Sequence, residues 1–448
     1  MRVHAFLSLV RPSGAPSGLV HAVALKPRTR EGSQAIARRK RDSSRRRPRR
    51  STSASASEPP IELEVEELAA GGDGVGRAPD GRVVFVPFTA PGDRVRVRIT
   101  DRRSNYSRGV VETLLEPGPQ RADPVCAVFG SCGGCAWQHV DYAAQLDAKR
   151  MIAFSALQRI GGFALPDHIA LPITPSRSPY RYRTRSRVVV SAGKVGYRRR
   201  RSHAIAATRR CPILCEDLEV HLAELADDPP ATDGEWELFA GRSADLDAPA
   251  TRALPLPAKG GSRLWLAVGE DRIGVSPGVF VQSNAGLLDA LSSAVSRAAG
   301  TGRRVFDLFC GAGFFTLGLA RNFEAVLAVE SNPVAAGDLE VNLREAGIGN
   351  VRVVASSVEA ALDDLEIAQL HPDRVVVDPP RTGLGEAVAE QIARIGPERI
   401  VYLSCDPATL ARDLSVFDHH GYQLIDAQCF DLFPQTPHVE MLAVMRRA

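Results

Sequence analysis

The sequence predicts an α/β protein with a doubly wound parallel sheet in its C-terminal part, a small β-barrel near the start and a central α+β region between them. Three observations predict this. From about residue 276, short apolar runs alternate with helical patterns, as strand–helix–strand units do. Residues 61–118 instead carry period-2 runs broken by glycine turns, which suits a small barrel. Between these regions lie clustered cysteines and a basic stretch of a single sign.

A chain of 448 residues, 44% hydrophobic and 24% charged, has the make-up of a globular protein of two or three domains. No apolar run reaches the length of a membrane span. Residues 1–57 hold 14 Lys/Arg against two acids, a net of +12, while residues 58–448 hold 42 against 50, a net of −8. The first segment, with Arg38-Arg-Lys-Arg41 and a Ser/Ala run, is expected to be a disordered basic tail. The mildly acidic remainder means that any basic patch within it has local significance. Eight cysteines in this length do not make a disulfide scaffold and suggest a reduced, cytoplasmic setting with metal or catalytic roles.

The barrel is expected over residues 58–120. Ile61–Glu66, Val83–Val86 and Val95–Ile99 alternate, and Gly71–Gly76 and Pro91-Gly-Asp93 supply turns. Arg94, Arg96 and Arg98 share one strand face, which suits either a solvated surface or an RNA-binding barrel of oligonucleotide-binding type.

The central domain is expected over residues 121–275. Cys126, Cys132 and Cys135, with Gly133-Gly134 between the last two, and Cys211 ahead of Pro212 make a candidate site for zinc or an iron–sulfur cluster; Cys215 competes for the fourth position. Residues 177–210 contain twelve Lys/Arg and no acid. Arg181, Arg183, Arg185 and Arg187 alternate and are expected on one face of a strand. A single sign within an acidic body points to a polyanion, here RNA. Residues 222–262 are acidic and Pro-rich and carry no signal.

The catalytic domain is expected over residues 276–448 as a Rossmann-like sheet of seven strands at 304–309, 325–330, 351–355, 374–378, 399–403, 422–430 and 438–445, parallel with an antiparallel close. The first strand enters Asp307-Leu-Phe-Cys-Gly-Ala-Gly313, a tight turn that lets backbone approach a ligand. The third glycine of a dinucleotide fingerprint and the Lys of a phosphate loop are absent. Glu330, ending the second strand, is placed to bind ribose hydroxyls. A nucleoside without pyrophosphate suggests S-adenosylmethionine. Asp378-Pro-Pro at the end of the fourth strand presents a carboxylate to a planar base. Cys405 ends the fifth strand, where ligands bind in such sheets. His438 and Glu440 stand two apart near the start of the last strand, and a buried carboxylate there suits a general base.

Together, Cys126-x5-Cys-x2-Cys135 with Cys211, Phe280-Val-Gln282-Ser-Asn284, the Asp307 glycine loop, Asp378-Pro-Pro-Arg-x-Gly383, Tyr402-x-Ser-Cys405 and Asp431-x-Phe-Pro-Gln-Thr-x-His-x-Glu440 resemble the S-adenosylmethionine-dependent RNA uracil-C5 (5-methyluridine) methyltransferase family over roughly residues 60–448. The resemblance implies that the barrel is a TRAM domain and that the four cysteines hold a 4Fe-4S cluster. It further implies that Cys405 is the nucleophile and Glu440 the base, and that Gln282, Phe309, Glu330 and Asp378 line the cofactor and base site. The implied reaction is methyl transfer to C5 of a uridine in rRNA or tRNA through a covalent Cys405–C6 adduct, by a monomeric cytoplasmic enzyme without membrane attachment.

Two positions depart from the family pattern. Asp406 replaces the usual Asn and is expected to raise the pKa of Cys405; Phe314 replaces a frequent Asn and removes a polar contact to the cofactor. Two other functions fit the sequence. One is a noncatalytic RNA-binding protein that keeps the fold, which would transfer no methyl group to RNA. The other is an amino-methyltransferase, which would not need Cys405.

Overall fold

The computed structural model describes residues 59–165, 171–243, 248–258 and 261–448. The basic tail expected over 1–57 lies outside them.

Five strands, β1 (Ile61–Leu68), β2 (Gly74–Arg77), β3 (Val83–Val86), β4 (Arg94–Arg102) and β5 (Tyr106–Glu116), close into a barrel in the order β1-β2-β3-β5-β4. Period-2 alternation sends Leu63, Val65, Val84, Val86, Val95 and Val97 inward. The outward arginines of β4 meet acids on both neighbouring strands: Arg96–Glu62 at 2.8 Å, Arg98–Glu112 at 3.0 Å and Arg94–Glu116. The stripe, which suited either a solvated surface or an RNA-binding face, is a ladder of cross-strand ion pairs. Its partners sit on the two neighbouring strands, β1 and β5, and the pairing register that sets them opposite the arginines cannot be read from alternation alone.

The central region contains α1 (Tyr142–Arg159), β6 (Ile173–Thr174), β7 (Arg185–Ser191), β8 (Lys194–Arg198), β9 (Ile205–Ala207), α2 (Glu216–Asp227), β10 (Gly234–Arg242), β11 (Pro249–Leu256), β12 (Leu264–Val268) and β13 (Asp271–Val275). Strands β7 to β13 form one seven-stranded sheet. The four alternating arginines do not share a strand face. Arg181 has φ +55° and lies before the strand; it sits 3.5 Å from Glu219. Arg185 turns inward and donates to Glu237 at 3.0 Å, and Arg252 meets the other oxygen of that carboxylate at 3.0 Å. Burial works to raise the pKa of Glu237, but the two guanidiniums outweigh it and hold the carboxyl below its ordinary value. Glu237 comes from the acidic stretch that carried no signal in the sequence. It is the counter-ion of two buried arginines.

The catalytic region adds α3 (Leu288–Ala299), β14 (Gly302–Leu308), α4 (Thr316–Asn322), β15 (Phe323–Glu330), α5 (Pro333–Glu345), β16 (Val351–Ala355), α6 (Val358–Leu362), α7 (Leu365–Ala368), β17 (Arg374–Val377), α8 (Glu386–Ile395), β18 (Arg399–Ser404), α9 (Pro407–His419), β19 (Tyr422–Phe430) and β20 (Glu440–Arg447). The sheet runs β16-β15-β14-β17-β18-β20-β19-β6. It has eight strands where seven were expected, because the two-residue β6, from before the basic stretch, pairs in parallel with β19. Such a short strand has no periodicity to detect. Strands β14 to β18 pair in parallel and β20 lies antiparallel to β18. Apolar side chains cover both faces, as continuous Val/Ile/Leu runs require.

Helix α9 shows how local sequence sets the site. Asp406 is its N-cap and accepts from Ala408 N at 2.9 Å and Thr409 N at 3.0 Å, and Pro407 occupies the first turn. Leu410, Leu414 and Phe417 then recur at helical spacing and are fully buried. The start of the helix is thereby fixed directly after Cys405. Among the described residues, no helix is long and apolar enough to cross a membrane.

Candidate active site

Five parallel strands deliver their carboxyl ends to one edge of the sheet, and a cavity of about 840 Å³ opens there. Gln282, Phe309, Glu330, Asp378, Cys405 and Glu440 all line it, as do Cys126, Cys132, Cys135 and Cys211. Residues spread over more than 300 positions of sequence thus share one wall.

The glycine loop follows β14. Phe309, Gly311 and Gly313 have φ of +65°, +56° and +94°, so the chain turns sharply. A Cβ on Gly313 would lie 2.5 Å from Leu339 Cδ1, whereas one on Gly311 would meet nothing within 4 Å. Gly313 is needed for packing against α5, and Gly311 leaves open space beside the cavity. Glu330 accepts from Gly311 N at 2.9 Å and from Asn332 N at 2.7 Å; it joins the loop to the start of α5. Asp307 accepts from Thr316 Oγ1 at 2.6 Å through one oxygen, while Oδ1 is buried without a partner. Burial pushes its pKa up to about 7. The open loop, the carboxylate at the second strand end and the orphaned oxygen fit a ligand carrying hydroxyl and ammonium donors. Phe314 packs edge-on against Phe315, with centroids 4.8 Å apart, and gives this pocket an apolar wall.

Cys405 and Glu440 are brought together by strand register. Ser404 of β18 pairs with Met441 of β20, so the next step outward sets Cys405 beside Glu440. Glu440 is 1% exposed. Burial first, then the Asp378 carboxylate, push its pKa well above the ordinary range, with Arg381 opposing. Burial and the Asp307 carboxylate push Asp378 up to about 7. The half-buried thiol of Cys405 is pushed up to about 11 by burial, then by Glu440 and Asp378, against Arg381. Asp406, expected to raise the thiol, is not a leading contributor, since its carboxylate faces the first turn of α9. His438 lies before the strand, and burial lowers its pKa to about 4, so it is neutral at pH 7. A thiol beside a carboxylate whose burial raises its basicity combines a nucleophile with a proton acceptor.

The four cysteines Cys126, Cys132, Cys135 and Cys211 line the same cavity. Burial pushes Cys135 up to about 12, and charges on Cys211, Cys132 and Cys126 add to the shift. Cys215 stands outside this wall, at the N-cap of α2. Among the described residues, no three or more His, Cys, Asp or Glu side chains are grouped to hold a single metal ion.

Arg381, the arginine of the Asp378-Pro-Pro-Arg motif, opposes the shifts of both Cys405 and Glu440. Other residues of this region carry no sequence motif. Tyr142, Gln145 and Lys149 of α1 reach the loop before Glu440. Their only trace in the sequence is that Gln145 and Lys149, four apart, interrupt the stripe Ala144, Ala153, Ala156, Leu157 that α1 buries.

Comparison with known proteins gives consistent results. A family profile described as tRNA (Uracil-5-)-methyltransferase matches residues 272–448, and a TRAM domain profile matches residues 61–111. An uncharacterized RNA methyltransferase of Nostoc sp. is 34% identical, over 86% of this chain and 96% of its own. The 23S rRNA (uracil(1939)-C(5))-methyltransferase of Alkalilimnicola ehrlichii is 33% identical, over 87% of this chain and 97% of its own. The crystal structure of the Pyrococcus abyssi tRNA (uracil-54, C5)-methyltransferase with S-adenosyl-L-homocysteine superposes with a TM-score of 0.67 at 23% identity, covering 86% of this chain and all of that one. The two share a fold.

Proposed function

This chain belongs to the RNA uracil-C5 methyltransferase family, and we propose that it methylates C5 of one uridine in RNA through a covalent adduct on Cys405. The observation that carries this reading is the Ser404–Met441 register, which sets a thiol and a buried carboxylate side by side on the cavity wall.

The glycine loop, Gln282, Phe309 and Glu330 would hold S-adenosylmethionine, which would supply an electrophilic methyl group. C5 of uracil is too weak a nucleophile unaided. The Cys405 thiolate adds to C6; the C5–C6 π electrons move into the ring carbonyl as an enolate, which makes C5 nucleophilic. After methylation C5 carries both a proton and a methyl group. Glu440 takes that proton, the C–H electrons re-form the C5–C6 double bond, and the C6–Sγ bond breaks to release the thiolate. Asp378, pushed toward its neutral form, can donate or accept at the uracil edge. Arg381 counters the negative charge of this wall. The target base must leave its stack to reach the cavity, and Arg183, Arg187 and Arg210 at the wall suit the phosphates around it.

Ribosomal RNA is favoured over tRNA because relatives 32–33% identical over nearly their whole length are named for 23S rRNA. We also assign Cys126, Cys132, Cys135 and Cys211 to a 4Fe-4S cluster. Support comes from four thiols on one wall that act on one another electrostatically. The cluster would tie the Cys126–Cys135 loop to the segment after the basic hairpin. Iron and sulfide analysis of anaerobically purified protein tests this, and stoichiometric zinc would refute it.

The function is tested by incubating RNA with labelled S-adenosylmethionine. Wild type should transfer label to C5 of uridine, Cys405→Ala should not, and Glu440→Gln should yield a protein–RNA adduct stable to denaturation. Transfer by Cys405→Ala would rule out the covalent route. Mapping 5-methyluridine in RNA from a deletion strain identifies the site.

A further inference from the structure

The loop from Asp431 to Gln435, which leads into Glu440, is held by groups from far upstream. Asn284 Nδ2 donates to Leu432 O at 3.2 Å, Lys149 Nζ to Phe433 O at 2.9 Å and Tyr182 OH to Pro434 O at 3.0 Å. Ala136 N and Trp137 N both donate to Gln435 O, at 2.9 and 3.0 Å. The Gln145 side chain engages Gln435 twice: its Oε1 accepts from the Gln435 backbone N at 2.9 Å, and its Nε2 donates to Gln435 Oε1 at 3.0 Å. Gln145 Nε2 also donates to Trp137 O and Val140 O. Lys149 and Asp431 form an ion pair with both side chains fully buried, and Tyr142 OH donates to the second oxygen of Asp431 at 2.8 Å.

Two features show that these contacts impose the loop's shape. Gln435 has φ +69°, a left-handed conformation that a non-glycine residue holds only when its surroundings compel it. A fully buried ion pair is also weak evidence for net stability, because the lost hydration of both ions offsets their attraction. Its firmer consequence is geometric, since Lys149 cannot leave Asp431 without stranding a buried charge.

Resting on the uracil-C5 reading above, we propose that Gln145 and Lys149 are positioning residues for removal of the C5 proton: through the 431–435 loop they set where Glu440 stands relative to Cys405. Neither lines the cavity itself. Cys405 stands between the end of β18 and the capped start of α9, whereas Gln145 and Lys149 hydrogen-bond to the 431–435 loop. Loosening the clamp should therefore impair elimination while leaving addition and methyl transfer intact, and the enzyme should stall as a covalent adduct.

The test uses the full chain with Gln145→Leu, and a double variant, Lys149→Met with Asp431→Leu, that removes both buried charges together. Cofactor binding is measured by calorimetry, folding by circular dichroism, and adduct on a denaturing gel, at a temperature where each variant is folded. Turnover should fall about 100-fold, the order that roughly 1 Å of misplacement costs, and KM for RNA should fall with it, kcat/KM staying within about 2-fold, because addition and methyl transfer precede the slowed step. Protein–RNA adduct should accumulate, as in Glu440→Gln, with cofactor binding unchanged. Wild-type turnover in both variants overturns the proposal, as does lost turnover without adduct. If wild type transfers no methyl group, the uracil-C5 reading fails and this inference fails with it. If wild type is active but Glu440→Gln forms no adduct, the covalent route fails, and the clamp's role in elimination with it.

Discussion

Cys405 and Glu440 face each other across the β18–β20 pair, one step beyond Ser404 and Met441. The carboxylate burdens the thiol: burial and the Glu440 charge together lift Cys405 to about 11. Both groups must lose a proton to act, the thiol before addition and the carboxyl before elimination. The methylation rate should therefore climb from about pH 6 to about pH 9, with no falling alkaline-side limb in that range. A pH–rate profile under single turnover checks this; a rate flat across neutrality would show that the site lowers the thiol's pKa in the complex.

Asp378 titrates near 7 in the folded protein and near its ordinary value of 3.8 when unfolded. Between these values the folded state binds more protons than the unfolded state. Stability from this group is complete below about pH 4 and is lost as pH rises to about 7. Asp378→Asn removes that loss, so it should raise the melting temperature more at pH 8 than at pH 4 while lowering activity. Paired thermal melts at the two pH values check it.

Because Asp406 caps α9 through two backbone amides, Asp406→Asn should preserve the cap and keep turnover within about 3-fold of wild type. Asp406→Ala should cost about 1 kcal/mol of stability. Urea unfolding and steady-state kinetics separate the two effects. A large gain in rate for Asp406→Asn would mean that its charge does reach Cys405.

The arginines of 181–187 should divide into two behaviours. Arg187 is exposed at the cavity wall, so Arg187→Gln should weaken RNA binding and lower its salt slope by about one, with no change in melting. Arg185→Met strands the buried Glu237 with one partner fewer and should cost about 3–5 kcal/mol. Arg96→Gln, in the barrel's ion-pair ladder, should change RNA affinity little. Salt-dependent binding curves and thermal melts distinguish all three.

The sequence by itself determined the parts whose rules are local. Continuous apolar runs, glycines in a tight turn and Pro after the N-cap Asp406 each fix a strand, a loop or a helix start by chain geometry alone, so the parallel sheet and the strand-end positions of Glu330, Asp378 and Cys405 were legible. The barrel's alternation was legible for the same reason. The tertiary structure decided what depends on partners distant in sequence. It turned Arg185 inward to Glu237, paired the barrel arginines with acids on adjoining strands and added β6 as an eighth strand. It also brought Gln145 and Lys149 of α1 under the loop that carries Glu440. A charged side chain reads the same in sequence whether it faces solvent, RNA or a buried counter-ion. Only the fold brings the counter-ion within hydrogen-bonding distance, and the desolvation that follows sets both the charge states and the geometry of the site.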